Sequence, residues 1–207
     1  MRYSIHQKSD SPSFPPGDKF LAGATAQADV AIYLGVPFVA DTAKACVLIE
    51  LGAECLAKHV DEAKAENSNV VGFARYRNGA DAPSNLVELV RLAGTGANAI
   101  SAAKAVFEEA GLAVVVCMDQ PGRILDRLLR PKYNAALRFL DEGLATAEDM
   151  DKTCKLGLGY PDGPIERLLR GGLEHHYEVT QSLFETYGTA SYAPPRRAIA
   201  AAKCGKR

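Results

Sequence analysis

Histidines are the side chains best suited to move a proton at neutral pH, and this chain has four of them. None stands in a spacing typical of a metal site or a catalytic triad: His6, His59, His175 and His176. The last two are adjacent, so on a helix they diverge by about 100° and are poorly placed to bind one metal ion together. We therefore expect surface or packing histidines and no metal site.

The thiols indicate no special chemistry either. The five cysteines are widely spaced and include no CxxC pair: Cys46, Cys55, Cys117, Cys154 and Cys204. Zinc sites and disulfide frameworks use paired cysteines, and an odd number leaves at least one thiol over. Most of these side chains are expected to be buried thiols that act as small apolar groups.

The most informative pattern lies between Met118 and Gly163. It contains these residues at one spacing: Asp119, Pro121, Gly122, Arg127-Leu128-Leu129, Pro131, Asn134, Glu142-Gly143 and Leu156-Gly157-Leu158-Gly159-Tyr160-Pro161. The pattern resembles the C-terminal helical domain of 3-hydroxyacyl-CoA dehydrogenases, which runs D-x-P-G-F-x-x-N-R-L-L-x-P, then N-E-A, then x-x-G-x-G-Y-P-x-G-P. About a dozen identities in one register argue against coincidence.

The resemblance implies a definite set of catalytic residues. In this family a histidine takes the proton of the 3-hydroxyl while hydride passes to NAD, a glutamate orients the histidine, and an asparagine binds the substrate. Val70 to Asn78 looks like the family segment V-x-G-x-H-F-F-N, with Ala74 at the histidine position. Glu88 matches the orienting glutamate and is expected to be a solvated or capping carboxylate, and Asp126 replaces the asparagine by an anion that can only accept hydrogen bonds. The expected base is therefore missing.

The glycine-rich turn of the family is reduced as well. Its G-x-G-x-x-G turn follows the first strand and lets the backbone approach a pyrophosphate at a helix N-terminus. At that place Leu34 to Ala40 holds one glycine and also Pro37, which has no amide donor. The other glycine cluster, Gly94-Thr95-Gly96, is explained by a turn and a helix cap. NAD is the cofactor that the resemblance implies, but these departures predict that none is bound.

The elements that would position these residues follow from periodicity. Apolar residues recur every three or four positions from Arg123 to Leu140, which predicts a long helix that Pro131 should kink and Gly143 should end. Leu137 is expected to face outward near its middle. Thr146 followed by Asp149 is a capping box for a second helix of about ten residues. Together they indicate a helical bundle.

The N-terminal half alternates predicted strands and helices. The strands are Asp29–Gly35, Ala53–Val60, Asn69–Ala74, Leu86–Arg91 and Ala113–Cys117, and the helices are Asp41–Leu51 and Asn98–Ala110. Such alternation implies a mostly parallel, doubly wound sheet. A complete dinucleotide fold needs on the order of 140 residues. Fewer than 100 stand between residue 20 and Cys117, so the sheet should be abbreviated.

The expected fold is therefore α/β followed by all-α: an abbreviated Rossmann-like parallel sheet and a C-terminal helical bundle of the 6-phosphogluconate-dehydrogenase-like type. We assign residues 1–20 to a flexible N-terminal segment, 21–118 to the truncated Rossmann-like domain, and 119–207 to the helical dimerisation or substrate domain. The net charge of −1 argues against nucleic acid as a partner. No apolar run has the length of a membrane span, and the polar N-terminus is unlike a signal peptide, so a cytoplasmic location is expected.

Two functions remain open at this stage. The chain is expected to be a catalytically degenerate family member of fatty-acid or aromatic-acid β-oxidation that acts as a dimerising or acyl-CoA-binding module. The alternative is an active NAD-dependent dehydrogenase on a short or medium 3-hydroxyacyl-CoA. The expected partner is a second copy, bound through the helical domain, or a full-length dehydrogenase. Acyl-CoA is a candidate ligand, although the basic stretches Lys132–Arg138 and Arg167–Arg170 are more typical of solvated helix faces than of phosphate sites.

Overall fold

The computed structural model describes residues 1–204 of the chain. It divides into two compact units. The first comprises Met1–Arg77 and Ala82–Arg123, and the second comprises Asn78–Asp81 with the chain from Ile124 onward. None of the helices in the described range is both long and apolar enough to cross a membrane.

The first unit is built on a six-stranded sheet whose strands lie side by side in the order of the sequence. They are β1 (Tyr3–Gln7), β2 (Val30–Leu34), β3 (Cys46–Glu50), β4 (Val70–Arg75), β5 (Leu86–Arg91) and β6 (Ala113–Met118). All neighbouring pairs are parallel except β4 and β5, which are antiparallel. The expectation of a mostly parallel sheet is confirmed.

The two faces of this sheet are covered differently. Helix α1 (Lys19–Ala22), helix α2 (Ala97–Glu109) and the chain around Phe14 cover one face with a mainly aromatic and alanine-rich cluster. The other face is covered by irregular chain that contributes Leu51, Leu56 and other apolar side chains. The crossovers that follow β2 and β3 therefore contain no α-helix; one-turn 3-10 helices at Leu56–Lys58 and Glu62–Lys64 are the only helical pieces there in the described structure.

Two predicted elements are wrong. The stretch predicted as a helix over Asp41–Leu51 instead contains β3, whose backbone pairs with a strand on each side and whose residues Cys46 to Glu50 are all buried on the two faces of the sheet. The strand predicted over Ala53–Val60 is a loop with a single 3-10 turn. The remaining predicted strands and the helix before Gly111 are confirmed within a few residues of the expected ends.

The N-terminal segment 1–20 is not the flexible linker that its proline and serine content indicated. Tyr3–Gln7 pairs in register with β2, from Tyr3 opposite Val30 to Gln7 opposite Leu34. Phe14 is fully buried, and its ring stacks on that of Phe20 with centroids 4.3 Å apart. Burial of two phenylalanine rings offsets the conformational entropy that turn-forming residues would otherwise retain.

The second unit is a helical bundle. Its helices are α3 (Leu125–Asp141), α4 (Ala147–Leu158), α5 (Pro164–Gly171), α6 (Leu173–Tyr187) and α7 (Arg196–Cys204). Its core contains Tyr133, Ala136, Leu137, Ile165, Leu168 and Ala198. Leu137 is 1% exposed, so the expectation that it faces outward is wrong.

The predicted helix ends of the bundle agree with the structure. Pro131 lies inside α3, and Gly143, with φ of 71°, follows the end of that helix. The Thr146 hydroxyl accepts a hydrogen bond from the Asp149 amide at 3.1 Å, which begins α4 as a capping box requires. Gly159, with φ of 69°, ends α4 in the left-handed conformation that a side chain disfavours.

Candidate functional site

Antiparallel pairing of β4 and β5 brings two of the expected site positions together. In this ladder Ala74 lies directly opposite Glu88, and both residues are buried. Opposite residues on such a pair have β-carbons about 4.5–5.5 Å apart and point to the same face of the sheet. A histidine at position 74 would thus stand beside the Glu88 carboxylate. Position 74, where the family resemblance places an imidazole, carries a methyl group.

The Glu88 carboxylate is engaged with another residue. Its Oε2 lies 3.5 Å from Nε of Arg123, and the two side chains are only 5% and 6% exposed. The expectation that Glu88 is a solvated or capping carboxylate is therefore wrong. Arg123 itself was not identified from the sequence, although one signal was present: it occupies the place where the family pattern D-x-P-G-F has phenylalanine.

The segment that carries Arg123 is fixed to the first unit by several contacts. Asp119 accepts hydrogen bonds from the amides of Leu56 and Ala57 at 2.7 and 2.8 Å, and the Gly122 amide donates to the Ala53 carbonyl at 3.0 Å. Arg123 adopts φ of 48°, which is uncommon for a residue other than glycine. The D-x-P-G part of the motif therefore holds the end of this unit and directs Arg123 to Glu88.

Asp126, the third expected site residue, belongs to the second unit, where it lies in the first turn of α3. Its Oδ1 accepts a hydrogen bond from Nε of Arg130 at 2.8 Å, one helical turn further on. The Asp126 side chain is 13% exposed and that of Arg130 is 6% exposed. The anion that replaces the family asparagine is thus paired with a buried guanidinium within its own helix.

Arg130 continues into a buried polar network. One of its terminal nitrogens lies 3.3 Å from Nδ1 of His176, and Nε2 of the same histidine lies 2.8 Å from Oδ1 of Asn134. Asn134 donates in turn to the Thr180 hydroxyl at 2.8 Å. Burial, together with the charge of Arg130, lowers the pKa of His176 to about 3, so the ring is neutral near pH 7. His176 is a packing residue, as expected from the sequence.

Two of the other histidines have partners of their own. His6 on β1 stacks on Tyr33 with centroids 4.6 Å apart, and Nε2 of His59 lies 3.4 Å from the Glu54 carboxylate. Within residues 1–204 no three side chains of histidine, cysteine, aspartate or glutamate come close enough to hold a metal ion.

A cavity of about 520 Å³ lies at the carboxyl ends of β2 and β3, where the sequence placed the remnant of the glycine-rich turn. Its lining consists of Gly35, Val36, Pro37, Phe38, Ile49, Glu50, Glu54, Lys58 and His59. A dinucleotide pyrophosphate needs backbone amides at a helix N-terminus. Here the chain runs from β2 through a loop to β3, Pro37 has no amide hydrogen, and two carboxylates line the space. These residues do not fit a pyrophosphate.

The second glycine cluster has the structural role expected for it. Gly96 is the N-cap of α2. A β-carbon at Gly94 would stand 2.5 Å from the Ala65 carbonyl oxygen, so the close approach of two backbones requires glycine there.

The basic stretches of the second unit are largely engaged within that unit. Arg138 donates to the carbonyls of Ala190 and Ala193, and Lys132 lies 3.7 Å above the ring of Tyr160. Arg170 pairs with Asp81, Asp162 and Glu166. These contacts agree with the interpretation of the basic stretches as ordinary helix faces.

Apolar side chains are nevertheless exposed on the same unit. They belong to α3, α4 and α5: Leu128 is 68% exposed, Leu156 78%, Leu158 63% and Leu169 57%. Helix α4 has no fully buried residue. Each of the helices α3, α4 and α5 therefore presents at least one large apolar side chain to solvent.

Comparison with known proteins finds 3-hydroxyacyl-CoA dehydrogenases among the relatives of this chain. Residues 122–206 match the family model described as 3-hydroxyacyl-CoA dehydrogenase, C-terminal domain. A 3-hydroxybutyryl-CoA dehydrogenase of Mycobacterium tuberculosis is 35% identical over 130 residues, which are 59% of this chain and 44% of that protein. The mitochondrial hydroxyacyl-coenzyme A dehydrogenase of Homo sapiens is 38% identical over 89 residues, or 43% of this chain and 28% of that protein.

Solved structures agree in fold. FadB2 of M. tuberculosis superposes with a TM-score of 0.74 at 24% identity, covering 87% of this chain and 67% of that one. The (S)-3-hydroxybutyryl-CoA dehydrogenase PaaH1 of Ralstonia eutropha gives a TM-score of 0.72 at 21% identity, covering 86% and 66%.

The chain spans less than half the length of the curated relatives named above. Three findings indicate a similarity to 3-hydroxyacyl-CoA dehydrogenases. They are the sequence match to these relatives, the match to the C-terminal domain model, and the shared architecture of a mostly parallel sheet followed by helices. Residues 122–206 of the chain match the 3-hydroxyacyl-CoA dehydrogenase C-terminal domain family, and the chain as a whole is similar to dehydrogenases of that family.

Proposed function

We propose that this chain is a catalytically degenerate member of its family that acts as a dimerising or acyl-CoA-binding module. One observation carries the proposal: Ala74 lies opposite Glu88 in the β4–β5 ladder, while the Glu88 carboxylate is paired with Arg123. A methyl group cannot accept the proton of a 3-hydroxyl. Loss of a general base alone lowers a rate by roughly 10²- to 10⁴-fold.

Two further features support the proposal independently. The cavity beyond β2 and β3 is lined by Glu50 and Glu54, whose charges would repel a pyrophosphate, so we propose that NAD is not bound there. Asp126 is committed to Arg130 and cannot donate the hydrogen bond that the family asparagine offers. Each departure affects a different part of the family reaction, so no single reversion would restore it.

The proposed role of the second unit rests on its exposed leucines on α3, α4 and α5. Contiguous apolar surface is usually covered by a partner, and two-fold pairing of like surfaces is the commonest solution. We propose a second copy of this chain as the partner, or a full-length dehydrogenase of the same family, in the cytoplasm. Acyl-CoA remains a proposed ligand, and the β-oxidation of fatty or aromatic acids a proposed setting.

The test is a pair of assays on the purified chain. Reduction of acetoacetyl-CoA by NADH should stay at background, and fluorescence titration should show no saturable NADH binding below about 1 mM, a weak affinity by the usual scale. The variant Ala74→His should stay equally inactive, because the cofactor site fails separately. Turnover by the unmodified protein, or micromolar binding of NADH, would instead establish the alternative, an active NAD-dependent 3-hydroxyacyl-CoA dehydrogenase.

The proposed role as a dimerising or acyl-CoA-binding module is tested by separate binding and association measurements. Calorimetric titration with acetoacetyl-CoA in the absence of NADH tests the acyl-CoA-binding form, and light scattering at micromolar protein tests the dimerising form. A monomer that binds no acyl-CoA, alone or mixed with a full-length family dehydrogenase, would contradict both.

A further inference from the structure

The edge strand β6 ends the sheet without the features that usually protect such an edge. It pairs with β5 in one unbroken register from Ala113 to Met118, and in the described part of the chain no strand lies on its other side. Its six residues, Ala-Val-Val-Val-Cys-Met, include no charge and no proline, and the register contains no bulge. Natural proteins usually place one of these on an exposed edge, because a bare edge readily pairs with another strand.

The hydrogen bonds to β5 show which backbone groups of β6 face the open edge. The amides of Ala113 and Asp119 donate to carbonyls at the two ends of β5, at 2.8 and 3.0 Å. Alternate residues of a strand bond to the same neighbour, so every second residue between these two has its N–H and C=O groups directed away from β5. These residues are Val114, Val116 and Met118.

The same three residues form an apolar strip along the edge. Because alternate side chains of a strand point to one face, the three lie on the same face of the sheet. Val116 is 38% exposed and Met118 is 46% exposed, while Val114 is partly buried against the core. The opposite edge of the sheet, β1, is more polar, since it ends in His6 and Gln7. The β6 edge is therefore the one suited to an apolar strand.

A second copy of the chain offers such a strand. Antiparallel pairing about a two-fold axis at Val116 would place Val116 opposite itself, Val114 opposite Met118, and Val115 opposite Cys117. Each outward N–H group of the edge would then meet an outward C=O group of the other copy. An apolar side chain meets an apolar side chain at every one of these positions, and no charge faces its own copy.

We infer that β6 pairs with β6 of a second copy, antiparallel and centred on Val116, so that two six-stranded sheets join into one. The contact belongs to the first unit, and it is separate from the exposed leucines of the second unit on which the proposed function rests. A single pair of strands buries less than the roughly 1,200 Å² of a stable interface, so we expect a dissociation constant on the order of 0.1–1 mM. Light scattering at micromolar protein therefore does not detect this contact.

A disulfide across the two-fold axis tests the register. Val116→Cys is combined with Cys204→Ser and Leu128→Glu, which remove an exposed native thiol and place a charge on the helical surface. Opposite residues of a hydrogen-bonded pair have α-carbons about 5.5 Å apart, a distance that suits a disulfide. At roughly 0.3 mM protein, mild oxidation should link two copies through position 116 about tenfold faster than through position 39 in a matched Val39→Cys chain. Val39 is 66% exposed in the loop after β2, so equal rates would overturn the inference.

Removal of the outward amide tests the hydrogen bonds. Val116→Pro removes an N–H that β5 does not use, so the variant should keep its circular dichroism spectrum. In the Leu128→Glu chain, and in the same chain with Val116→Thr, the amide shifts of Val114 and Met118 should change between about 20 µM and 1 mM protein. They should stay constant with Val116→Pro.

A second variant covers the case in which the proline variant misfolds. Val116→Lys places two like charges at the axis and should also remove the concentration dependence. Constant shifts in the Leu128→Glu chain, or persistent association in a folded proline or lysine variant, would overturn the inference. Constant shifts would also mean that any strand that covers this edge comes from a different protein.

Discussion

The ion pair between Arg123 and Glu88 allows a sharp test of what stabilises the buried Glu88 carboxylate. We predict that Arg123→Met destabilises the protein strongly, because it removes the counter-charge beside a carboxylate that is 5% exposed. Methionine keeps much of the length and apolar stem of arginine. The backbone at position 123 has φ of 48°, and this left-handed conformation costs about as much with methionine as with arginine. The substitution therefore mainly tests the loss of the positive charge.

The expected magnitude follows from burial. Removing one partner of a buried ion pair costs about 3–5 kcal/mol, whereas an exposed pair is worth about 0–1 kcal/mol. For a chain of this size that loss lowers the melting temperature by roughly 10 °C. Arg2→Met is the matched control, since the Arg2–Asp29 pair has side chains 63% and 47% exposed and should contribute little.

Urea unfolding followed by circular dichroism measures both variants under the same conditions. The double variant Arg123→Met with Glu88→Gln should lose less stability than Arg123→Met alone, because no charge is then left in the apolar interior. If Arg123→Met costs no more than Arg2→Met, Glu88 is not held by Arg123, and the explanation of its role fails.

Three further predictions concern other parts of the chain. Because burial holds the folded pKa of His176 at about 3 and the unfolded value is near 6.5, stability should fall as pH drops below 6.5. The free energy of unfolding should fall by about 2 kcal/mol between pH 7 and pH 5, and by less in His176→Gln. Urea unfolding at several pH values measures both. Leu128→Glu should abolish self-association in light scattering with little loss of stability, whereas Leu137→Ala should keep association and lose about 2–5 kcal/mol. Burial raises the pKa of Cys46 to about 12, so at pH 8 a disulfide reagent should modify exposed Cys204 quickly and Cys46 only on unfolding.

Each of these has a result that would contradict it. An equally steep pH dependence in His176→Gln would assign the titration to other groups. A native chain that is monomeric at micromolar concentration would remove the basis of the Leu128 prediction. Rapid labelling of Cys46 in the folded protein would mean that β3 opens easily.

Local sequence patterns predicted those elements whose conformation depends on interactions between residues close in the sequence. The capping box at Thr146 and the glycine that ends α4 are examples, because the hydrogen bonds and backbone angles involved span a few residues only. The stretch that became β3 is the opposite case. Its neighbours on both sides decide its state, since an apolar run that is buried on two faces has no periodicity to distinguish it from a helix.

The sequence predicts positions for the candidate site, but it does not predict the contacts that these residues make. Matching motifs identified Ala74, Glu88 and Asp126, and the β4–β5 register brings the first two together. The partner of Glu88 could not be deduced, because a contact between distant parts of the chain depends on the path of the segment around Gly122. Composition alone indicated a linker for residues 1–20. The segment instead packs on the sheet, because the rings of Phe14 and Phe20 are buried there.

The polar network of the helical bundle makes the substitutions in it depend on one another. Asp126, Arg130 and His176 form one continuous chain of contacts across α3 and α6. Replacing Asp126 by asparagine would take a negative charge from the buried Arg130, whose other side-chain hydrogen-bond contact among residues 1–204 is the neutral ring of His176. Replacing Arg130 by an apolar residue first would leave Asp126 without this guanidinium. A change at either position alone therefore gives a destabilised protein, so the aspartate at position 126 and the arginine at position 130 can be replaced without cost only together.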